Sequence, residues 1–400
     1  METLSERIRM LSESETLAMT RKSRELKAKG YDVINLSIGE PDFNTPEFIK
    51  DAAHLAIDQN KTHYPPVPGY PELREAVVRK LKRDNGLDYT PDQIVISGGA
   101  KHSIANAMLC LVNKGDEVIV PAPYWVSYKE IIKLAEGVPV VVETSIDNDF
   151  KITPEQLESA ITPRSKVLIY SSPCNPTGSV YSREELEALA RVIEKHENIY
   201  VLSDEIYELI RFEGKHESIA QFESIRDRVV IINGVSKGFA MTGWRVGYLA
   251  APPEIAKACD KLQGQVTSAT CSISQYASIA AMECDPAVNK DIQEMVETFD
   301  ERRRLVFGLL EQIPGLRNNM PEGAFYFFPN VKAYFGKKFG DKEISNSTDL
   351  CMYLLNHAHV ALVPGDAFGN PNCIRISYAT SRKLLITAIA RISEALGELK

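Results

Sequence analysis

An α/β unit built on a mostly parallel sheet, followed by a smaller α+β unit, is the architecture this 400-residue sequence predicts. Three observations carry it. The near-continuous apolar runs Ile199–Ser203 (IYVLS) and Val229–Asn233 (VVIIN) read as strands buried on both faces, as in parallel sheets joined by crossover helices. Helical patterns alternate with such runs; Ser182–Lys195 opens with Ser182 three residues before Glu185, in capping-box form. After about Asp285 the alternation gives way to one long helix pattern and several short strands, the texture of an α+β unit.

Taken in order, a helix is expected around Thr16–Lys29, joining the second unit. The strands of the first unit are expected at Gln93–Ser97, Glu117–Val120, Pro139–Glu143, Lys166–Ser171, Ile199–Ser203, Val229–Asn233 and Val246–Ala250. The second unit is expected to hold a helix over Ala287–Gln312, strands at Ala324–Phe328, Val360–Val363 and Ile374–Tyr378, and a final helix reaching Leu399. These boundaries give a large unit over residues 46–285 and a small one made of 1–45 and 286–400.

The bulk properties remove several function classes. A hydrophobic share of 44%, a charged share of 25% and a net charge of −8 describe an ordinary globular chain with no basic run for nucleic acid. The opening METLSERIRMLSESE has no apolar core of a signal peptide, and no apolar run is long enough for a membrane span. Seven scattered cysteines without CxxC spacing fit a reducing cytoplasm better than a disulfide framework. No GxGxxG, Walker A, HExxH or Cys/His metal spacing occurs, so no dinucleotide and no metal is expected.

The stretch GVSKGFAMTGWRVG, Gly234–Gly247, is the most informative. Its lysine, Lys237, follows a buried strand and sits between small residues. Partial desolvation there lowers the amine's pKa and readies it for imine formation with a carbonyl. Arg245, eight positions on, supplies a planar fork for a phosphate or carboxylate. In isolation two such residues are more often surface charges, since lysine is rarely buried. The whole string, however, resembles the cofactor-lysine signature of the class I aminotransferases, and the resemblance, closest to the bacterial-type aspartate aminotransferases, extends from Ser14 to the C-terminal helix. It implies the fold type I architecture of pyridoxal-phosphate (PLP) enzymes, with a seven-stranded sheet, and a homodimer with active sites at the subunit interface.

Other motifs take their roles from that resemblance. Asn175 in YSSPCNPTGSVYS could be turn chemistry alone; the family implies contacts to the cofactor ring oxygen and the substrate carboxylate. In YVLSDEIYELI, Asp204 and Glu205 both stand at a strand end, and strand alternation does not choose between them. A carboxylate against the pyridine nitrogen keeps it protonated, and the family pattern picks Asp204, with Tyr207 donating to the ring oxygen. Gly98-Gly99-Ala100-Lys101 precedes a helix whose first amides suit an anion; with Ser236 and Arg245 it resembles the phosphate cradle. Tyr64 resembles the tyrosine that reaches the neighbouring subunit's phosphate, and Trp125 the ring stacked on the cofactor and facing the substrate.

On the substrate side, Arg375 in CIRISYATS is a charged residue within an apolar strand, matching the family's α-carboxylate clamp. Gly39 in NLSIGEPDF matches the backbone position that closes over the substrate. Lys101, Ser14 and Thr16 resemble the distal-carboxylate site of dicarboxylate-using relatives. The implied reaction is ping-pong amino transfer between L-aspartate and 2-oxoglutarate, giving oxaloacetate and L-glutamate. Relatives that use prephenate carry a basic residue where this chain has Ser12, which sets broader aromatic or prephenate specificity behind the dicarboxylate reading. A PLP-dependent C–S lyase is the second enzymatic alternative, and an effector-sensing domain of a transcription regulator the non-enzymatic one.

Overall fold

The structure, a computed structural model, describes residues 3–12 and 15–400, the side chains of residues 15–17 lying outside that description. Its centre is a seven-stranded sheet in the order Ile94–Ser97, Gly247–Ala250, Val229–Gly234, Tyr200–Asp204, Ser165–Ser171, Glu117–Ala122, Val138–Glu143. All neighbours pair in parallel except Gly247–Ala250, which runs antiparallel to both of its partners. Every strand anticipated in this region forms within a residue or two of its expected bounds. The apolar runs are the reason: Val201, Leu202, Val230, Ile231 and Ile232 are fully buried between two helical layers. Each such side chain contributes about 1.5–3 kcal/mol of burial.

One layer sets the helices Pro71–Asn85 and Arg183–Glu194 against the face formed by Ile119, Leu168, Val201 and Ile231. The other sets Ala100–Leu111, Ser127–Leu134 and Pro253–Val266 against Val118, Ile169, Leu202 and Ile232. Arg183–Glu194 starts as its sequence requires, with Ser182 accepting from the Glu185 amide and Glu185 from the Ser182 amide. The helices Pro253–Val266 and Ser272–Glu283 carry no clear sequence signal beyond Pro253 at a first helical position.

A second core gathers around Phe299, Phe325, Tyr326, Leu354, Ile376 and Ile389, and includes Met19 of the helix Glu15–Ala28. Its long helix runs Lys290–Leu310, capped by the Asn289 side chain, three residues shorter at its start than expected. The strand expected over Val360–Val363 is two. Val360–Ala361 pairs in parallel with Ile34–Asn35, whereas Val363–Pro364 pairs antiparallel with Ile374–Arg375. One apolar run thus serves two sheets, which periodicity alone does not reveal. The run Ala324–Phe328 is also trimmed, to Tyr326–Phe327, because Ala324 turns into the left-handed region at φ 56°.

Candidate active site

Beyond the carboxyl ends of the parallel strands lies a cavity of about 290 Å³, where ligands of open α/β sheets bind. Its wall collects residues from eight places in the sequence: Gly39, Ala100 and Lys101, Trp125 and Tyr128, Asn175, Asp204 and Tyr207, Ser236 and Lys237, Arg245, and Arg375. Sequence separations of up to 338 residues are closed by direct bonds, such as Arg375 Nη2 to the Ser37 carbonyl at 2.6 Å.

Lys237 follows the strand Val229–Gly234, and its Nζ donates to the Gly39 carbonyl at 2.6 Å. Burial is the main force lowering its pKa to about 8, and nearby Arg375 and Arg245 push the same way against Glu40 and Asp204. An amine poised there is partly neutral near pH 7, as a nucleophile or general base must be. Two short ties fasten the Lys237 loop to the N-terminal strap: Thr45 Oγ1 to the Ala240 carbonyl at 2.8 Å and Thr242 Oγ1 to Glu40 at 3.1 Å.

Asp204 ends the strand Tyr200–Asp204 and is 5% exposed. Burial raises its carboxyl pKa to about 6, opposed by hydrogen bonds from the Tyr128 hydroxyl at 2.6 Å and the Ile206 amide at 3.3 Å. Tyr207 is buried with its hydroxyl 2.6 Å from that of Tyr326, and burial drives its pKa well upward. A neutral phenol in this position serves as a hydrogen-bond donor.

At one end of the cavity, the helix Ala100–Leu111 presents its first amides, which have no acceptor inside the helix. Arg245 closes over this end. Its Nη2 donates to the Gly98 carbonyl at 3.1 Å, and its backbone is held at φ 56°. Gly99, at φ 96°, has no room for a side chain, since a Cβ there would run into the Arg245 guanidinium. Ser236 is buried beside them, and Lys101 Nζ lies 4.9 Å from the Trp125 ring centroid. Burial, then Arg245, lowers the Lys101 pKa; among the described residues no carboxylate pairs with it.

At the other end Arg375 is 2% exposed and spans the rings of Tyr326 and Phe368, at 4.6 and 5.1 Å. Nη1 donates to Asn175 Oδ1 at 2.9 Å, while Nε is buried without a partner among the described residues. A buried guanidinium that lines a cavity and keeps an unpaired donor suits an anionic ligand.

Of the residues singled out in the sequence, Gly39, Ala100, Lys101, Trp125, Asn175, Asp204, Tyr207, Ser236, Lys237, Arg245 and Arg375 converge on this cavity, with Gly99 behind its wall. Tyr64 does not; it is 97% exposed on the surface of the chain. Ser14 lies outside the described residues, as does the side chain of Thr16. Ser12, next to them, is held by its amide on Glu130 at 2.8 Å. Sequence reasoning missed Tyr128 and Tyr326. Tyr128 was within sight, three residues after Trp125 in PYWVSY, but only the fold reveals that its hydroxyl meets Asp204.

Residues 31–392 match the family "Aminotransferase class I and II". The bifunctional aspartate aminotransferase and glutamate/aspartate-prephenate aminotransferase of Petunia hybrida is 47% identical over 99% of this chain and 83% of its own length. The aspartate aminotransferase of Geobacillus stearothermophilus is 48% identical over 97% of this chain and 98% of its own. Among solved structures, the Thermus thermophilus aspartate aminotransferase with maleate superposes at a TM-score of 0.93, with 40% identity, covering 99% of this chain and 100% of that one. This chain belongs to the class I and II aminotransferases.

Proposed function

We propose that this chain is a PLP-dependent aspartate aminotransferase, moving the amino group of L-aspartate to 2-oxoglutarate. One observation carries the reading: a desolvated lysine amine, a buried carboxyl and a buried guanidinium with a spare donor all open into one cavity. The cavity fits the cofactor chemically. Its helix-end amides, Ser236 and Arg245 suit a phosphate, Asp204 suits a pyridine nitrogen, and Lys237 suits an aldehyde carbon. When bound, the cofactor supplies the carbonyl that receives the amino group and a ring that takes up the electrons released at Cα.

The protein's part is then specific. The Arg375 guanidinium would bind the substrate α-carboxylate, and Asn175, bonded to its Nη1, would reach both that carboxylate and the ring oxygen. Asp204, held by Tyr128, would keep the proton on the ring nitrogen, and Tyr207 would donate to the ring oxygen. Trp125 covers one ring face and excludes water. Lys237 Nζ would hold the cofactor's aldehyde carbon and, when freed from it, would be the base that takes the proton from the substrate Cα and the acid that gives it back. Closure of the 1–45 and 286–400 unit over the 46–285 unit, carrying Gly39 and Arg375, would seal the cavity. Tyr64, exposed in the single chain, is free to reach the phosphate of a second subunit, which supports a homodimer with interfacial sites. Seven free thiols support a reducing compartment. Among the described residues no helix is long and apolar enough to cross a membrane.

Lys101 is the residue for the distal carboxylate, with Ser14 and Thr16, because its ammonium faces the cavity without a carboxylate partner among the described residues. Lys101→Ala is expected to lower kcat/KM for aspartate by about 10–100-fold, and for alanine by less than about 3-fold. Equal losses for both in steady-state kinetics would remove this role. The reading as a whole is tested by absorption spectra of the PLP-loaded protein before and after excess L-aspartate without an oxo acid. Conversion of the lysine-linked band to that of the aminated cofactor, with one oxaloacetate per subunit, is expected. Conversion only by another amino acid, or with prephenate as the better acceptor, would move the specificity. Pyruvate and ammonia would point to a lyase.

A further inference from the structure

The peptide that carries Asp204 into the cavity carries Glu205 to the opposite face of the sheet. There Glu205 is 1% exposed, away from the cavity wall, among hydrogen-bonding groups. Its Oε1 accepts from Ser203 Oγ at 2.9 Å and Ser218 Oγ at 2.6 Å, and its Oε2 faces His216 Nε2 at 2.9 Å. Its amide continues the sheet ladder onto the Ile232 carbonyl at 2.8 Å. A buried carboxylate is expensive unless paired and hydrogen-bonded, and one placed next to another in sequence doubles the difficulty.

The surroundings decide what Glu205 is for. Behind it lies Glu208, ion-paired to Lys80 and accepting from Asn85 at 3.2 Å; Asp84 stands 3.8 Å from the same ammonium. Tyr170 faces it through Ser203, while Tyr89, near Arg226, and Tyr248 present hydroxyls without partners among the described residues. Glu205, Glu208 and His216 bring ligand atoms within 4.8 Å of one another, but Lys80 already stands against Glu208 where a metal cation would, and no ligand is needed to explain the group. Around Glu205, then, stand His216 in direct contact, Glu208 with its Lys80 partner within reach, the hydroxyls of Tyr89, Tyr170 and Tyr248, and Asp204 across the peptide.

We propose that Glu205 and His216 form a positioning pair that sets the electrostatic field at Asp204 from behind the sheet, and so governs how firmly the cofactor ring nitrogen is held protonated. The inference rests on the reading of Asp204 as the partner of that nitrogen. Protein interior separates the two carboxylates, so little solvent screens them. A negative Glu205 makes Asp204 more basic, in the same direction as burial, and the His216 ring, 2.9 Å from Glu205 Oε2, stands where a positive charge would offset it.

The test is a pH titration of the visible absorption band of the PLP-loaded protein, with cofactor affinity measured in parallel. Glu205→Gln keeps the size of the side chain and removes its charge. It is expected to lower the titration midpoint by about 0.5–1 pH unit and weaken cofactor binding by about 3–10-fold. Glu205→Asp, which keeps the charge and strains the hydrogen bonds, should leave the midpoint near that of the unaltered protein. A midpoint moved by Asp as far as by Gln would show a structural frame rather than a field, and overturn the proposal. So would a Glu205→Gln midpoint within about 0.2 unit of the original. Should Glu205→Gln fail to fold, His216→Lys sets a permanent positive charge against Glu205. It should lower the midpoint likewise, and an unmoved midpoint there overturns the proposal. If the unaltered protein shows no visible band after loading, the cofactor reading falls and takes this inference with it.

Discussion

Lys237→Ala is expected to reduce kcat by at least about 10⁴-fold while leaving a folded protein that still takes up the cofactor without the lysine-linked absorption band. The size follows from two roles in one atom. In the proposed mechanism Nζ, whose pKa falls to about 8 in the cavity, both links the cofactor and serves as the base at Cα. The stability effect has its own sign. A lysine whose pKa falls from 10.5 unfolded to about 8 folded destabilises the folded chain below pH 8, and that penalty fades as pH rises towards 10.5. The cofactor-free alanine variant should therefore melt no lower than the unaltered protein at pH 7, despite losing the bond to Gly39. Single-turnover conversion with aspartate and paired thermal melts check both halves. A variant with its absorption band intact would refute the role of Lys237.

Asp204→Asn is expected to separate function from stability more sharply. Without the carboxylate the ring nitrogen loses its counter-charge, and kcat/KM should fall by about 10²–10³-fold. The cofactor-free protein should gain stability instead. A carboxyl raised by burial from 3.8 to about 6 binds its proton more tightly folded than unfolded. Stability consequently drops as pH climbs through that window, and the full penalty, about 3 kcal/mol at most, stands above pH 6. Asparagine removes the penalty and still accepts from Tyr128. Melting temperatures at pH 8 should rise by a few degrees over the parent and converge with it near pH 4. Equal differences at both pH values would show that the Asp204 carboxyl is not perturbed in the folded chain. The cavity thus holds a charge that the fold alone would not keep.

The sheet was legible because its physics is local. Runs such as VVIIN leave no alternative to a strand buried on both faces, and Ser182 with Glu185 announces a helix start. The split of Val360–Pro364 between two sheets was not legible, since the partner strands lie 326 residues before Val360 and ten after Pro364. The site divides in the same way. Lys237, Asn175, Asp204 and Arg375 stand in short motifs that carry the family resemblance, and it is the resemblance that singles them out. Tyr128, Tyr326 and the Glu205 network have ordinary local contexts and matter only through contacts the topology creates. Strand alternation did not choose between Asp204 and Glu205; the structure turns one carboxylate into the cavity wall and the other to Ser218 and His216 on the opposite side of the sheet.

Gly99, Gly234 and Gly247 interlock. A methyl group on Gly247 would strike the Ala100 amide, one on Gly234 would strike the Gly247 backbone, and one on Gly99 would strike Arg245. Two strands and a helix end are packed there at backbone contact, so a side chain on Gly234 or Gly247 has main chain to displace, while one on Gly99 has to push the Arg245 guanidinium aside. That end of the cavity is therefore mechanically stiff, its shape cast in main chain rather than in side chains that can adjust to a neighbour's change.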